Sequence, residues 1–384
     1  MGVEIEARIL REKRMSDVRD RIDDLEKFVE RTEGQVYKRR TFLSMCAILG
    51  IAPVAARLSP ALADAKELVL VNWGGDAIKG MKASWVDPYL KKYPDRKVAI
   101  DGTGPATGRI KLMVESKKVT WDVMDRNLHT ALELGPQGML EPIDYSIVDK
   151  SKVRPEHAVE WGIGNYLYAM VLTYNTKKWG GMVPENWKDV WDFKKFPGKR
   201  AFRREPDATL EAALLAAGVP RDKIYPIDMK LALDMHKKMK EHAIYYDIIA
   251  DGQNAYRNGE AHLGVLLNTR AWPLKQDTKG LVDWTWNEGI SWGACWMIPK
   301  GAQGGKAISE FINVTLDPEG QAQLLKTNGY GPSNPEATKL LDAEWNKINP
   351  GAPENYAKMI PGGIAWYAKN ATDARQQLLD VLAS

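Results

Sequence analysis

Glu67-Leu68-Val69-Leu70-Val71-Asn72-Trp73, closed by Gly74-Gly75, reads as a buried strand stopped by a glycine turn. Working outward, a helix is expected over 83–93 and a second strand over 97–102. The loop Asp101-Gly102-Thr103-Gly104-Pro105-Ala106-Thr107-Gly108 follows, then a helix over 109–116 and a third strand, Trp121-Asp122-Val123-Met124. Strands alternating with helices specify an α/β protein with a mostly parallel sheet covered on both faces. In such sheets ligands bind outside the carboxyl ends of the strands. Those ends are Asn72-Trp73, Gly102-Thr103 and Asp125-Arg126-Asn127.

Further along, 165–174 is a β-rich run. A second strand and helix series passes through 199–203, 210–217, a helix near 228–240, and a strand at 262–267 capped by Asn268-Thr269-Arg270. Another β-rich run covers 289–299, and helices are expected at 304–315 and 318–326. The two β-rich runs, far apart in sequence, are predicted to cross out of one lobe and back. That places two lobes in the chain, the first discontinuous. The expected boundaries are 66–172 with 290–340 for the first lobe and 173–289 for the second. Residues 341–384 form a C-terminal helical segment packing across them.

Residues 1–65 read as a signal region. Lys38-Arg39-Arg40-Thr41-Phe42-Leu43 leads into a weakly apolar run ending at Ala61-Leu62-Ala63. A charged n-region, a short apolar stretch and an A-x-A site describe a secretory signal, and the arginine pair points to the twin-arginine route. Cleavage is expected near Ala63 or Ala65, with a periplasmic location for the product. Pro53, Arg57 and Pro60 interrupt the run, so it falls short of the ~20 apolar residues of a membrane span. The first 37 residues, with Val18, Ile22, Leu25, Phe28 and Val29 at helical spacing, read as an extended n-region.

Of 54 basic and 50 acidic residues in the chain, twelve and ten lie in residues 1–63, leaving 42 and 40. So even a balance argues against nucleic acid or an anionic membrane as partner. Of two cysteines only Cys295 lies beyond the signal, so the fold needs no disulfide, and Cys295 is expected as a buried small hydrophobe. All fourteen tryptophans lie beyond residue 63, against six phenylalanines in the whole chain. Trp187, Trp191 and Trp366 are assigned to packing.

Several segments resemble the extracellular solute-binding proteins of ABC transporters, in their spermidine/putrescine-binding branch. They are Leu70-Val71-Asn72-Trp73-Gly74-Gly75, Trp121-Asp122-Val123, Met139-Leu140-Glu141-Pro142-Ile143-Asp144, Tyr174-Asn175-Thr176, Asn186-Trp187-Lys188-Asp189-Val190-Trp191, the run from Tyr256 to Gly264, the run from Glu288 to Pro299, and Asn328-Gly329-Tyr330. The resemblance implies a type II periplasmic binding protein fold, two lobes joined by crossover strands that close over one ligand. It implies a small-molecule ligand and an inner-membrane ABC permease as partners, no cofactor and no catalysis. A monomer is expected, with no insertion of the mature chain into the membrane.

Polyamine binders hold ammonium groups with carboxylates and stack methylenes on aromatics. Carried over by position, the family's aromatics are present as Trp73, Trp292 and Tyr330. The carboxylates depart from the pattern: the crossover aspartate falls on Ala294, the second-lobe acidic pair on or near Glu205 and Ala208 with Asp207 available, and the second-lobe aromatic on Leu267. Arginines stand at the strand ends instead: Arg126, Arg203, Arg204 and Arg270. Arginine suits bidentate recognition of carboxylates. The expected ligand therefore carries a carboxylate or other anion, with an amine held by Glu205, Asp207 or Asp125. It is amino-acid-like, opine-like or an ω-amino acid. Thr103 in its glycine loop offers backbone N–H groups for the anion, and Asn127 and Asn268 complete the candidate site. Putrescine or spermidine remains the alternative.

Two other roles find no support in the motifs. His129, His157, His236, His242 and His262 show no metal spacing and there is no G-x-S-x-G elbow. His236 and His242, on a lysine-rich helix, read as surface residues. A ferric site would need tyrosines where Asn268-Thr269-Arg270 stands, and Tyr245-Tyr246 lies too early.

Overall fold

The computed structural model describes residues 67–74 and 76–384, Asp76 in its backbone alone. The n-region, the twin-arginine run and the cleavage positions near Ala63 and Ala65 lie outside the described residues.

Strand β1 (Glu67–Val71) leads into α1 (Asp76–Met81), one turn of wider π-type helix (Lys82–Val86) and α2 (Asp87–Lys92). Then come β2 (Lys97–Asp101), α3 (Thr107–Glu115), β3 (Val123–Asn127), α4 (Leu128–Leu134) and the long β4 (Gly162–Asn175). The second half holds α5 (Trp187–Trp191), β5 (Arg200–Arg203), α6 (Thr209–Ala216), α7 (Met229–Met239), β6 (Ala243–Tyr246), α8 (Ile249–Arg257), β7 (Leu263–Leu267) and α9 (Asn268–Asp277). The chain returns along β8 (Val282–Pro299) and finishes with α10 (Lys306–Thr315), α11 (Pro318–Asn328) and α12 (Ile364–Ala383). No helix among the described residues is long and apolar enough to cross a membrane.

The strands lie in the order β2-β1-β3-β8-β4-β7-β5-β6. β1, β2 and β3 pair in parallel, as do β5, β6 and β7. β4 and β8 are antiparallel to each other and run through both halves: Val282 opposes Asn175, and Trp296 opposes Ile163. The register shifts between Thr285 and Ile290, where Glu288 takes φ 55°. Trp187 holds this irregularity, its indole N–H donating to the Glu288 carbonyl at 2.9 Å. A second shift leaves Asn165 without an opposite residue. Such a bulge re-aims a side chain, and Asn165 is turned toward Asp125.

The four largest fully buried side chains of the core are tryptophans. Trp85 and Trp296 meet edge to face at 5.1 Å, and Trp85, Trp121, Trp187 and Trp296 are all buried. Trp191 packs on Phe202, and Trp366 on Tyr367. Cys295 is buried and free.

One buried carboxylate ties two segments far apart in sequence. Asp122 accepts the Val69 N–H at 2.9 Å, the Gln303 N–H at 3.1 Å and the Gly304 N–H at 2.7 Å. Asp122→Ala leaves these donors without their partner, at about 1–3 kcal/mol for each that water cannot reach. The expected loss is about 3 kcal/mol in urea unfolding at unchanged m-value.

The structure corrects several sequence expectations. The third strand begins at Val123, so Asp125, Arg126 and Asn127 lie within it rather than after it. Asn268-Thr269-Arg270 directly follows β7, as expected, and also opens α9. β6 and α8 were not expected, because the short run 243–246 is bounded by charge and carries no clear period. His236 is buried, not a surface residue: its ring lies within hydrogen-bond reach of Tyr245 Oη at 2.7 Å and the Thr209 carbonyl at 2.9 Å. Its lysine neighbours occupy the other face of α7.

Candidate functional site

Alternation along β3 separates its charged residues. Asp125 and Asn127 stand opposite Trp296 and Ala294 of β8, and Arg126 opposite Cys295. Asp125 is fully buried and accepts from Asn165 Nδ2 and Tyr166 Oη, both at 2.9 Å. Burial raises its pKa to about 7, against the hydrogen bonds of Asn165, Tyr166 and Trp73 and the charge of Arg126. Asn127 accepts from Tyr168 Oη at 2.9 Å. On the other side Arg126 donates to the Pro105 carbonyl at 2.9 Å and to Thr107 Oγ1 at 3.0 Å, and its guanidinium lies 5.7 Å from the ring of Trp73. Trp73 is 52% exposed, the largest apolar surface that these elements present.

The second half contributes an ion pair. Arg203, at the end of β5, donates from Nη1 to Asp207 Oδ2 at 2.8 Å, with side-chain exposures of 13% and 15%. Burial works against the Arg203 charge, yet Asp207 and Glu205 beside it hold its pKa above the ordinary value. Its Nε is buried without a partner. Between Asp207 and α6 the chain passes through Ala208 at φ 65°, a left-handed conformation unusual for alanine. Strain of this kind persists where surrounding structure enforces it, often at functional sites; here it turns Asp207 back onto Arg203. Arg270, exposed on the first turn of α9, makes no ion pair among the described residues, and its charge partly opposes the burial that raises the Tyr330 pKa.

Aromatic rings surround these groups. Tyr330 packs on Tyr166 with the ring centroids 4.3 Å apart and the planes tilted by 31°, and burial pushes its hydroxyl up to about 12. Trp292 is buried, not an open platform. It meets Tyr367 at 5.2 Å and His129 at 6.0 Å, and its Nε1 has no partner. His129, whose pKa burial lowers to about 4, is under the opposing influence of Asp207 and Arg126. Its Nδ1 is also buried without a partner. Tyr166, Tyr168 and His129 were missed in the sequence. The alternating Tyr166-Leu167-Tyr168 on an expected strand was the available signal for the first two.

Four expected site residues are engaged elsewhere. Thr103 is exposed, its N–H and hydroxyl donating to Asp101 Oδ1 while Arg109 donates to the hydroxyl at 2.6 Å. The Gly104 N–H goes to the Asn72 carbonyl, so this loop does not offer the free donors expected of it. Arg204 is exposed and faces Asp247 at 3.4 Å. Asn268 is structural: it accepts from the Ala169 N–H at 2.9 Å and donates to the Gly329 carbonyl at 3.2 Å. Glu205 is held by Arg375 of α12, whose Nε donates to it at 2.8 Å. Among the described residues no cluster of metal-ligating side chains occurs.

Glu211 of α6 is fully buried and accepts from Tyr225 Oη at 2.6 Å and Tyr367 Oη at 3.1 Å. Burial raises its pKa to about 7. The folded value lies above the unfolded one of ~4.3, so the native chain keeps the proton more tightly. The Glu211 contribution to stability is therefore complete below about pH 4 and is lost as pH rises to 7. Glu211→Gln removes this dependence. The stability of the variant relative to wild type should grow between pH 5 and 7 and then level off, read from urea titrations at each pH.

Two lobes of mixed α/β structure joined by the crossover strands β4 and β8 define a type II periplasmic binding fold. The chain belongs to the family of bacterial extracellular solute-binding proteins, whose pattern matches residues 84–353. It is a solute-binding component of an ABC transporter, not an enzyme. It is 26% identical over 319 residues to the gamma-aminobutyric acid-binding protein of Pseudomonas aeruginosa, covering 81% of this chain and 88% of that one. The structure of the Atu4243 GABA receptor superposes with a TM-score of 0.76 at 31% identity, over 83% of this chain and 98% of the other. The spermidine/putrescine-binding periplasmic protein of Escherichia coli is 26% identical over 160 residues, 41% of this chain and 45% of that protein. The polyamine binder is thus matched over a shorter part of the chain than the binder of an amino acid.

Proposed function

We propose that this protein captures a small zwitterion, an ω-amino acid such as 4-aminobutanoate, in the cleft between its lobes. The observation that carries the reading is the buried Arg203–Asp207 pair. Asp207 Oδ2 is engaged by Arg203 Nη1, while the buried Arg203 Nε has no hydrogen-bond partner. A carboxylate can join the guanidinium and an ammonium can join Asp207, so the ligand completes a network that is neutral before and after binding. Trp73 and Tyr330, the latter backed by Tyr166, supply apolar surface for the methylenes, and Arg126 and Arg270 add positive potential. A dication fits poorly. Asp125 is sealed by Asn165 and Tyr166, Glu205 is neutralised by Arg375, and Ala294 carries no charge.

The name of the Pseudomonas aeruginosa relative and that of the GABA receptor support this reading. The protein is taken to be exported by the twin-arginine route, to act in the periplasm as a monomer, and to deliver its ligand to an inner-membrane permease. The first lobe comprises 66–172 and 290–340, the second 173–289, and 341–384 packs across them. Calorimetry with 4-aminobutanoate, putrescine and glutarate tests the ligand. Binding of 4-aminobutanoate in the micromolar range or tighter is expected. At 100 times its dissociation constant it should also stabilise the fold by ~2.7 kcal/mol. Binding of putrescine without 4-aminobutanoate would overturn the reading.

A further inference from the structure

The second lobe holds two carboxylates close together, Asp207 and Glu205. Burial raises the pKa of Glu205 and the charge of Asp207 raises it further. Two carboxylates sharing one region demand compensating cations, and a ligand with two ammonium groups would supply them. In this chain both are compensated from within, Asp207 by Arg203 and Glu205 by Arg375. Arg375 Nε donates to Glu205 Oε1 at 2.8 Å, the two side chains being about one third exposed.

The guanidinium arrives on α12, far downstream in sequence. That helix is seated independently of the ion pair, by buried Ala374, Leu378 and Val381 and by the Tyr367 hydroxyl on Glu211. Arg203, Asp207, Glu205 and Arg375 together sum to zero charge. Without Arg375 the group carries one net negative charge.

We infer that Arg375 is a specificity-determining residue: an internal cation standing where a second ligand ammonium would bind, so that diamines are excluded while Asp207 stays available to a single amine. Exclusion by a built-in like charge is a common route to discrimination between similar ligands. The inference deepens the zwitterion reading and rests on it for the role of Asp207.

The test is calorimetry with putrescine and 4-aminobutanoate on the wild type, Arg375→Met, Arg375→Gln and the double variant Arg375→Met/Glu205→Gln. Arg375→Met is expected to bind putrescine about tenfold or more tightly than wild type, and 4-aminobutanoate within about threefold. The gain should vanish in the double variant, because the second ammonium then has no carboxylate. Arg375→Gln keeps a donor for Glu205 without the charge, so it must move putrescine affinity the same way even where the methionine variant fails to fold. A purely structural role would weaken both ligands together. Unchanged putrescine affinity in the single variants, a gain that survives loss of Glu205, or a wild type that already binds putrescine as tightly as 4-aminobutanoate would each overturn the inference. Failure of the wild type to bind 4-aminobutanoate would sink the zwitterion reading instead. A Glu205-dependent putrescine gain would uphold the role of Arg375 even then.

Discussion

Asp207→Asn should lower affinity for 4-aminobutanoate by about 100-fold or more. The carboxylate faces Arg203 at 2.8 Å with little exposure on either side, so the pair interacts in a medium where water screens weakly. Removing one member of such a pair costs about 3–5 kcal/mol, because the other charge stays buried without compensation. At about 1.4 kcal/mol per factor of ten, most of that cost should appear in binding if the ligand ammonium relies on the same carboxylate. Arg203→Ala should be equally severe, and Arg203→Lys nearly so, since an ammonium lacks the forked donor set. The double variant Arg203→Ala/Asp207→Asn should destabilise the fold by less than the sum of the single changes, as coupled partners do. Calorimetry on variants with verified melting curves is the measurement. An affinity for Asp207→Asn within threefold of wild type would remove the pair from the site.

The second large effect concerns the frame. Gly264 lies in β7 opposite Ala201 of β5, with φ +139°, and a Cβ there would stand 2.1 Å from the Ala201 carbonyl oxygen and 2.8 Å from its nitrogen. Backbone cannot step aside as a flexible side chain can. Gly264→Ala should therefore separate β5 from β7 or distort their ladder, at a cost of about 3 kcal/mol or more from overpacking and backbone strain. Because β5 ends at Arg203 and β7 leads into α9 with Arg270, surviving folded protein should also bind ligand more weakly. Urea unfolding shows the first effect and calorimetry the second. A stability within about 1 kcal/mol of wild type would mean that the sheet tolerates the methyl group by a shift the present geometry does not offer.

Much of the scaffold was legible in the chain. The run from Glu67 to Trp73 is apolar and ends in glycines, which is enough to name a buried strand and its stop. The expected runs 165–174 and 289–299 fell within β4 and β8, though both strands are longer than expected. Their extra residues, such as Val282 to Trp286, alternate less clearly because the register shift interrupts them. β6 was invisible because four residues among charges carry no period. His236 was misjudged because composition reports the solvent side of α7, whereas burial is decided by the single face that meets Tyr245 and the Thr209 carbonyl.

The chain by itself determined an α/β protein of two lobes joined by crossover strands, aromatics and arginines near strand ends, and a departure from the carboxylate pattern of polyamine binders. These are local properties: periodicity, turn residues and residue type at a position. Only the tertiary structure decided which charges have spare bonding capacity. Arg126 is tied to Pro105 and Thr107, Thr103 to Asp101 and Arg109, and Glu205 to Arg375, whereas Arg203 keeps an unpartnered Nε. The physical reason is that an ion's partner is fixed by whatever the fold brings within about 3 Å of it. For Glu205 that partner lies on a helix 170 residues away in sequence, a distance across which no pattern in the chain specifies a contact.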